Sequence, residues 1–297
     1  MHRKFLYLVG VDGGGTGTRV ILRHVDGHEL GHGQAGPSGL MHGVPRAWQA
    51  IQNAINLAFF EAGFATPPLN QIALGCGLAG MNNDEWCADF LAKNPGFGLV
   101  VTASDALTNL IGAFGGEPGV VIALGTGSVG LALLADGSKR EVGGWGFPSG
   151  DEASGAWLGL RALNHAQHVA DGRCKSDSLA NAVLAFCGGS RETLMKWGIG
   201  ADQTLMAQLA PLVVQTAASS SHALELLQEA GRAVALTALA LDPSGAMPIA
   251  LNGGLASSIK PYLPDELKVR VVPPQTDAAT GALILLQKKL LSEGGNN

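Results

Sequence analysis

Val9-Gly10-Val11-Asp12-Gly13-Gly14-Gly15-Thr16-Gly17-Thr18-Arg19-Val20-Ile21-Leu22 is the stretch on which the fold of this chain turns. Apolar residues run into Asp12, three glycines follow, and a second apolar run leaves through Val20 and Leu22. This is the pattern of strand, tight turn and strand. Glycine permits left-handed backbone and close approach, so consecutive amides from Gly13 to Gly17 can converge on an anion, with the Thr16 hydroxyl as a further donor. Asp12 leaves the first strand where a carboxylate can hold Mg2+ through water, since magnesium keeps several waters and takes few protein ligands. An ordinary glycine hairpin would have the same pattern. A Walker A loop would not, because it needs Gly-Lys-Ser/Thr opening a helix.

The turn recurs. Val120 to Leu134 again reads as strand, turn and strand, with Gly125-Thr126-Gly127-Ser128 at the bend. Two copies roughly 110 residues apart predict a duplicated domain, and two such hairpins can hold one polyphosphate. Ser104-Asp105-Ala106, Gly143-Gly144-Trp145-Gly146 and Asn252-Gly253-Gly254 complete an ordered set. With Asp12-Gly-Gly-Gly-Thr16 and Gly125-Thr-Gly-Ser128, this set resembles the BadF/BadG-type ATPase family of the sugar kinase, heat-shock ATPase and actin superfamily. Within that family it is similar to the N-acetylglucosamine and glucosamine kinases. The resemblance spans residues 5 to about 290. It implies an α/β, two-lobed ribonuclease H-like (actin-like ATPase) fold with duplicated mixed-sheet domains and a ligand cleft between them. It also implies ATP and Mg2+ as cofactors, an amino sugar as the small-molecule partner, and a possible homodimer.

The chain has 297 residues, enough for two lobes, and the expected boundary falls at Gly115-Gly-Glu117-Pro118-Gly119, giving domains 1–117 and 118–297. Hydrophobic residues make up 46% and charged residues 14%, which predicts a large buried interior. Net charge is −5 without a long basic run, so neither nucleic acid nor an anionic membrane is an expected partner. Cys76, Cys87, Cys174 and Cys187 form no CxxC pair or zinc spacing and read as reduced thiols of a cytoplasmic protein. Phe5 to Val11 is too short for a secretory peptide, and no apolar stretch is long enough to span a membrane.

Along the chain, Glu29–Gln34 is expected to add a third strand. Apolar spacing through Ala47, Ile51, Ile55 and Phe59 predicts an amphipathic helix over 45–62. A strand at 72–77, a helix at 84–92, a strand at 99–102 and a helix from Asp105 to Phe114 follow. The second half opens with strands 120–124 and 129–134 and a third near 140–142. A long helix is expected to start at Asp151, a helical insertion to fill about 175–241, and strands to return at 248–251 and 269–272. A closing helix over 277–291 would, by the resemblance, pack on the first lobe.

Asp105 is the candidate general base. A carboxylate at a strand's carboxyl end, opening a helix, lies where open α/β sheets bind ligands. The same residue would also serve as a dipole-stabilised first-turn carboxylate capped by Ser104. By the resemblance it occupies the kinases' base position and would accept the proton of the sugar 6-hydroxyl. Phosphoryl transfer passes through a loose transition state, so orienting that hydroxyl matters more than basicity. Gly144, Trp145 and Asp151 resemble the sugar-binding segment: Trp145 would offer an apolar face to the ring and Asp151 would accept from hydroxyls. On residue type alone, Trp145 reads equally as core and Asp151 as a helix start. Ser38, Gly39, Gly77 and Gly80 are placed at the sugar by the same likeness, although the asparagine that the family often carries near Ser38 is missing. Asn252, Gly253 and Gly254 resemble the adenosine-side turn. His165 and His168 read as a helix face, and Arg19 and Lys4 as solvated cations.

The leading reading is an ATP-dependent kinase for the 6-hydroxyl of N-acetylglucosamine or glucosamine. Trp145 with Asp151 favours the first sugar, and Pro274-Gln275-Thr276-Asp277-Ala278 resembles the glucosamine enzymes. An iron–sulfur ATPase that activates a dehydratase would need cysteines at a dimer seam, and the four here do not match. A non-catalytic sugar-responsive regulator is the third reading. Its weak points are the retained Asp105 and the absence of an added DNA-binding segment.

Overall fold

Alternation in the opening stretch gives a strand two different faces. In the computed structural model, which describes residues 5–294, β1 spans Tyr7–Gly13, β2 Thr18–His24 and β3 Glu29–Ala35. Lys4 lies outside the described residues. Val9 and Val11 share a core with Val20, Leu22 and the apolar stripe of α1 (Val44–Glu61). Leu8 and Ile21 point into a separate cluster on the other face. β4 (Ile72–Leu78), α2 (Asp84–Ala92), β5 (Leu99–Ser104) and α3 (Asp105–Phe114) follow. The sheet runs in the order β3-β2-β1-β4-β5, with β1, β2 and β3 antiparallel and β1, β4 and β5 parallel.

The second unit repeats the arrangement. β6 (Gly119–Leu124), β7 (Ser128–Leu133) and β8 (Lys139–Gly143) form an antiparallel meander. α4 (Gly155–Ala170), α5 (Ser178–Phe186), α6 (Arg191–Gly200), α7 (Gln203–Ala207), α8 (Ala210–Thr216) and α9 (Ser221–Leu241) then build the helical segment. β9 (Ile249–Asn252) pairs parallel to β6, so the order β8-β7-β6-β9 matches β3-β2-β1-β4. The duplicated mixed sheet expected from the sequence is present. The fifth strand expected at 269–272 is reduced to one parallel bridge, Ile249 to Val271, because α10 (Ala256–Ile259) and α11 (Asp265–Lys268) occupy the chain just before it. The helix expected at Asp151 starts four residues later at Gly155, with Ser154 as its cap.

The closing helix α12 (Ala278–Gly294) belongs to the first unit, which comprises residues 1–117 and 274–297. Ala279, Leu283 and Leu286 join Leu8, Ile21 and Ala73 in the second core of that unit, so its sheet lies between α1 and α12. The helix can lie this close only because β1 and β4 carry glycines beneath it. A Cβ on Gly10 would stand 2.0 Å from the Ala279 carbonyl oxygen, and one on Gly75 2.1 Å from that of Ala282. All four cysteines are free. No helix among the described residues is long and apolar enough to cross a membrane.

In the second unit the turn between α9 and β9 is fixed by a buried ion pair. Asp242 accepts from the Arg270 guanidinium, from the Ser244 hydroxyl and from the Met247 N–H at 2.8 Å, while Arg270 also donates to the Met247 carbonyl. Burial alone would push the Asp242 carboxyl up. The Ser244 hydroxyl, the Met247 N–H and the Arg270 charge together hold it below the usual range. A lowered folded-state value contributes stability above the unfolded value, which is lost as pH falls through the folded one. The unfolding midpoint is therefore expected to drop below pH 4 through this group, and Arg270→Met should cost about 3 kcal/mol at pH 7, checked by urea unfolding.

Candidate active site

In each unit the site is built at the carboxyl ends of parallel strands, and its amides are aimed by what happens to the preceding carbonyls. In a trans peptide the C=O and the following N–H point in opposite directions. The Gly14 carbonyl is held by the N–H groups of Ser38 (3.2 Å) and Gly39 (2.9 Å), and the Gly15 carbonyl lies 3.2 Å from His42 Nε2. The N–H groups of Gly15 and Thr16 therefore project the other way, and both residues are exposed. In the second unit, Gly125 and Thr126 accept at their carbonyls from Gly155 (2.8 Å) and Ala156 (3.1 Å) in the first turn of α4. This frees the N–H groups of Thr126 and Gly127 on the opposite side. Both glycine turns thus present paired amide donors, as an anion requires.

The loops around the first turn are laced to it. Ala79 N–H donates to the Gly13 carbonyl at 2.9 Å, and Leu40 N–H donates to that of Ala79 at 2.9 Å. Thr18 Oγ1 lies 2.6 Å from the Gly36 carbonyl and 2.7 Å from Ser38 Oγ. A single hydroxyl hydrogen cannot serve both, so with Thr18 donating to Gly36, Ser38 donates to Thr18. Ser38, expected at the sugar, is fully buried with its hydroxyl committed to this anchor. Gly39 packs on Gly14 and Met41, and a Cβ on Gly77 would stand 2.0 Å from Thr108 Oγ1 of α3. Gly80 takes φ +94° beside Leu40 and Trp86.

Three carboxylates share the carboxyl edge of the first sheet. Asp12 is the last residue but one of β1, opposite Arg19, Asp105 opens α3 and Asp277 caps α12. Burial raises the Asp12 carboxyl above its ordinary value. The exposed Arg19 guanidinium opposes the rise, while the charges of Asp105 and Asp277 add to it. Asp105 Oδ1 accepts its neighbour's N–H from Ala106 at 2.9 Å, and Ser104 caps the helix by accepting from Leu107. Asp277 accepts from the Thr280 N–H at 2.9 Å. α3 and α12 meet at Gly112 and Gly281, which brings their two N-termini to one edge. The donor set fits a hydrated divalent cation: Asp12 stands in the field of two further acidic side chains, and Arg19 does not outweigh burial and those charges. Among the described residues, no three acidic, histidine or cysteine side chains are spaced to hold a bare metal ion.

In the second unit, Asp151 is 4% exposed and stands at φ +59°, with Ala153 at φ +66°. Its Oδ1 accepts from the Gly146 N–H at 3.2 Å and its Oδ2 from Gln203 Nε2 at 2.7 Å. Gly143, Gly144 and Gly146 all take positive φ, which winds the loop tightly and leaves Trp145 84% exposed rather than in the core. Ser128 donates its hydroxyl to the Glu152 carbonyl at 2.6 Å. The Asn252-Gly253-Gly254 turn leaves β9 beside the end of β6. Gly253 has φ +94°, a Cβ there would stand 2.4 Å from the Leu124 carbonyl oxygen, and that carbonyl accepts from the Leu255 N–H. The second glycine turn and the third therefore leave neighbouring parallel strands, while Gly254 faces open space.

Three residues at these sites carried no role in the sequence reading. His42 sits in a loop without pattern. Gln203 sits in the helical segment. Asp277 was visible as part of the 274–278 motif, but its position beside Asp12 depends on how α12 packs.

The sequence profile of the BadF/BadG/BcrA/BcrD ATPase family matches residues 9–285. A glucosamine kinase of Vibrio cholerae serotype O1 is 31% identical over 283 residues, covering 95% of this chain and 96% of that one. The crystal structure of a protein from Chromobacterium violaceum, named as a candidate N-acetylglucosamine kinase, superposes with a TM-score of 0.89 at 46% identity, covering 96% of this chain and 100% of the other. A ROK family glucokinase from Streptomyces griseus, crystallised with glucose and AMPPNP, shares the fold at a TM-score of 0.53 and 17% identity, over 95% and 98% of the two chains.

Proposed function

The chain belongs to the BadF/BadG/BcrA/BcrD ATPase family, and we propose that within it the protein is an ATP- and Mg2+-dependent hexosamine kinase that phosphorylates the 6-hydroxyl of N-acetylglucosamine or, as the alternative, of glucosamine. The observation that carries this reading is that the glycine turn of each unit has its carbonyls pinned, which leaves its own amides for phosphate oxygens, with Asp105 at the same sheet edge as the first turn. The 46% identity to a candidate N-acetylglucosamine kinase, against 31% to a glucosamine kinase, favours the acetylated sugar.

In this reading Gly13–Gly17 and Gly125–Ser128 bind the phosphates, and Asn252–Gly254 lies against the adenosine. Asp12 would hold Mg2+ through water. Bound there, Mg2+ would neutralise charge on the transferring phosphoryl group. Asp105 accepts the hydrogen of the sugar 6-hydroxyl and orients its oxygen. That oxygen forms a bond to the γ-phosphorus as the bond from phosphorus to the leaving ADP oxygen breaks, and the proton passes to the Asp105 carboxylate. Trp145 offers an apolar face to the ring, and Gly144 its backbone. Asp151 accepts from a hydroxyl with the lone pairs left by its two partners, since a carboxylate has about four acceptor positions. Ser38, Gly39, Gly77 and Gly80 line the sugar site from the loops beside the first turn. Residues 1–117, with the last helix packed on them, carry the sugar and phosphate side and the rest of 118–297 the nucleotide side, in a cytoplasmic homodimer.

The position of transfer is tested by 31P and 13C NMR of the product made from ATP and N-acetylglucosamine. The expected product carries the phosphate on C6. A phosphate on C1 would overturn the assignment of the acceptor.

A further inference from the structure

The structure assigns Gln203 a role that nothing in the sequence indicated: it is a positioning residue that, through Asp151, sets both the Trp145 loop and the Gly125–Ser128 turn. Four observations converge on it. A carboxylate only accepts hydrogen bonds, so the amide must turn its nitrogen to Asp151, and Gln203 Nε2 stands 2.7 Å from Oδ2. The other oxygen, Oδ1, takes the Gly146 N–H next to Trp145. Gly127, in the phosphate turn, lacks a Cβ where Asp151 Oδ2 would lie 2.5 Å from it, so the carboxylate also fills the space behind that turn. Finally, Asp151 and Ala153 both hold left-handed backbone, which non-glycine residues keep only where their surroundings over-determine it.

A carboxylate this buried depends on its donors. Gln203 is the one side-chain donor to it among the described residues. Its own place is rigid. Asp202 caps α7 by accepting from Leu205 N–H, and the Met206 carbonyl oxygen is pressed against α4 where a Cβ on Gly159 would be 1.9 Å away. The helical segment thus delivers one amide to the loop that follows β8. This inference rests on the hexosamine kinase reading for its effect on substrate, but its structural half does not.

The test is a charge series at one position, Gln203→Lys, Gln203→Met and Gln203→Glu, each retaining a long side chain. Gln203→Met removes the donor and should raise the KM for N-acetylglucosamine about tenfold, the scale of a lost hydrogen bond to a charged group. Gln203→Glu sets two carboxylates together and should raise it further, toward about a hundredfold. Gln203→Lys restores a donor and should stay within about threefold of wild type. The KM for ATP should change less than that for the sugar in all three. A role in packing alone would give no order by charge. Amide hydrogen exchange of the 143–150 segment is measured in parallel, without substrate: it should speed up in the Met and Glu variants and stay slow in the Lys variant. Unchanged exchange in Met and Glu overturns the assignment whatever the substrate proves to be. So does a faster loop with an unchanged sugar KM in an enzyme that turns over normally. If wild type phosphorylates no amino sugar, the functional reading fails and the exchange result alone decides the role of Gln203.

Discussion

Asp105→Asn is expected to lower kcat about 10²–10⁴-fold while leaving the affinity for the amino sugar within about threefold of wild type. Asparagine keeps the shape of the side chain and still accepts the Ala106 N–H through its carbonyl oxygen, as Asp105 Oδ1 does, so α3 and its Ser104 cap are undisturbed. What it loses is the capacity to take a proton. The 6-hydroxyl would then attack with no base to take its proton, in the charge field that Asp12 and Asp277 leave at this edge. Steady-state kinetics and calorimetric titration of the sugar against the variant check both halves. A variant that turns over at more than a tenth of the wild-type rate would move the base elsewhere.

Asp12→Asn should separate function from stability. Turnover is expected to fall about 10²–10³-fold, the scale of removing one group that stabilises charge in the transition state, and the Mg2+ concentration for half-maximal rate should rise. The ligand-free fold should instead become more heat-resistant at pH 8. Burial, and then the charges of Asp105 and Asp277, raise the Asp12 carboxyl against the pull of Arg19. For a raised group, stability is fully present below the unfolded value and is lost as pH rises through the folded one. Asparagine removes that loss, so variant and wild type should melt alike near pH 3.5 and diverge with the variant higher at pH 8. Residues at functional sites commonly carry this cost. Differential scanning calorimetry at the two pH values reads it directly.

Much of this was legible from residues close together in the chain. Alternation around Val9–Leu22 and Val120–Leu134 points to both hairpins, because the runs Gly14–Gly17 and Gly125–Gly127 interrupt the apolar strands at the turns. Ser104-Asp105 announced a capped helix and is one. The errors lie where distant contacts override local signals. Asp151 looked like the first residue of α4, yet Gly146 and Gln203 hold it in left-handed backbone and the helix waits for Ser154. Val269–Val272 has strand composition, but two short helices leave it only a bridge. The gathering of Asp12, Asp105 and Asp277 could not be read from spacing, because it needs glycines on β1, β4, α3 and α12 to let the last helix settle.

The central claim is most directly tested by ATP-dependent phosphorylation of N-acetylglucosamine, glucosamine, N-acetylmannosamine and glucose, measured as ADP release with wild type and Asp105→Asn side by side. The account predicts kcat/KM highest for N-acetylglucosamine, with glucosamine next, and loss of that turnover in the variant. Turnover on none of the four sugars, or equal turnover in the variant, would contradict it.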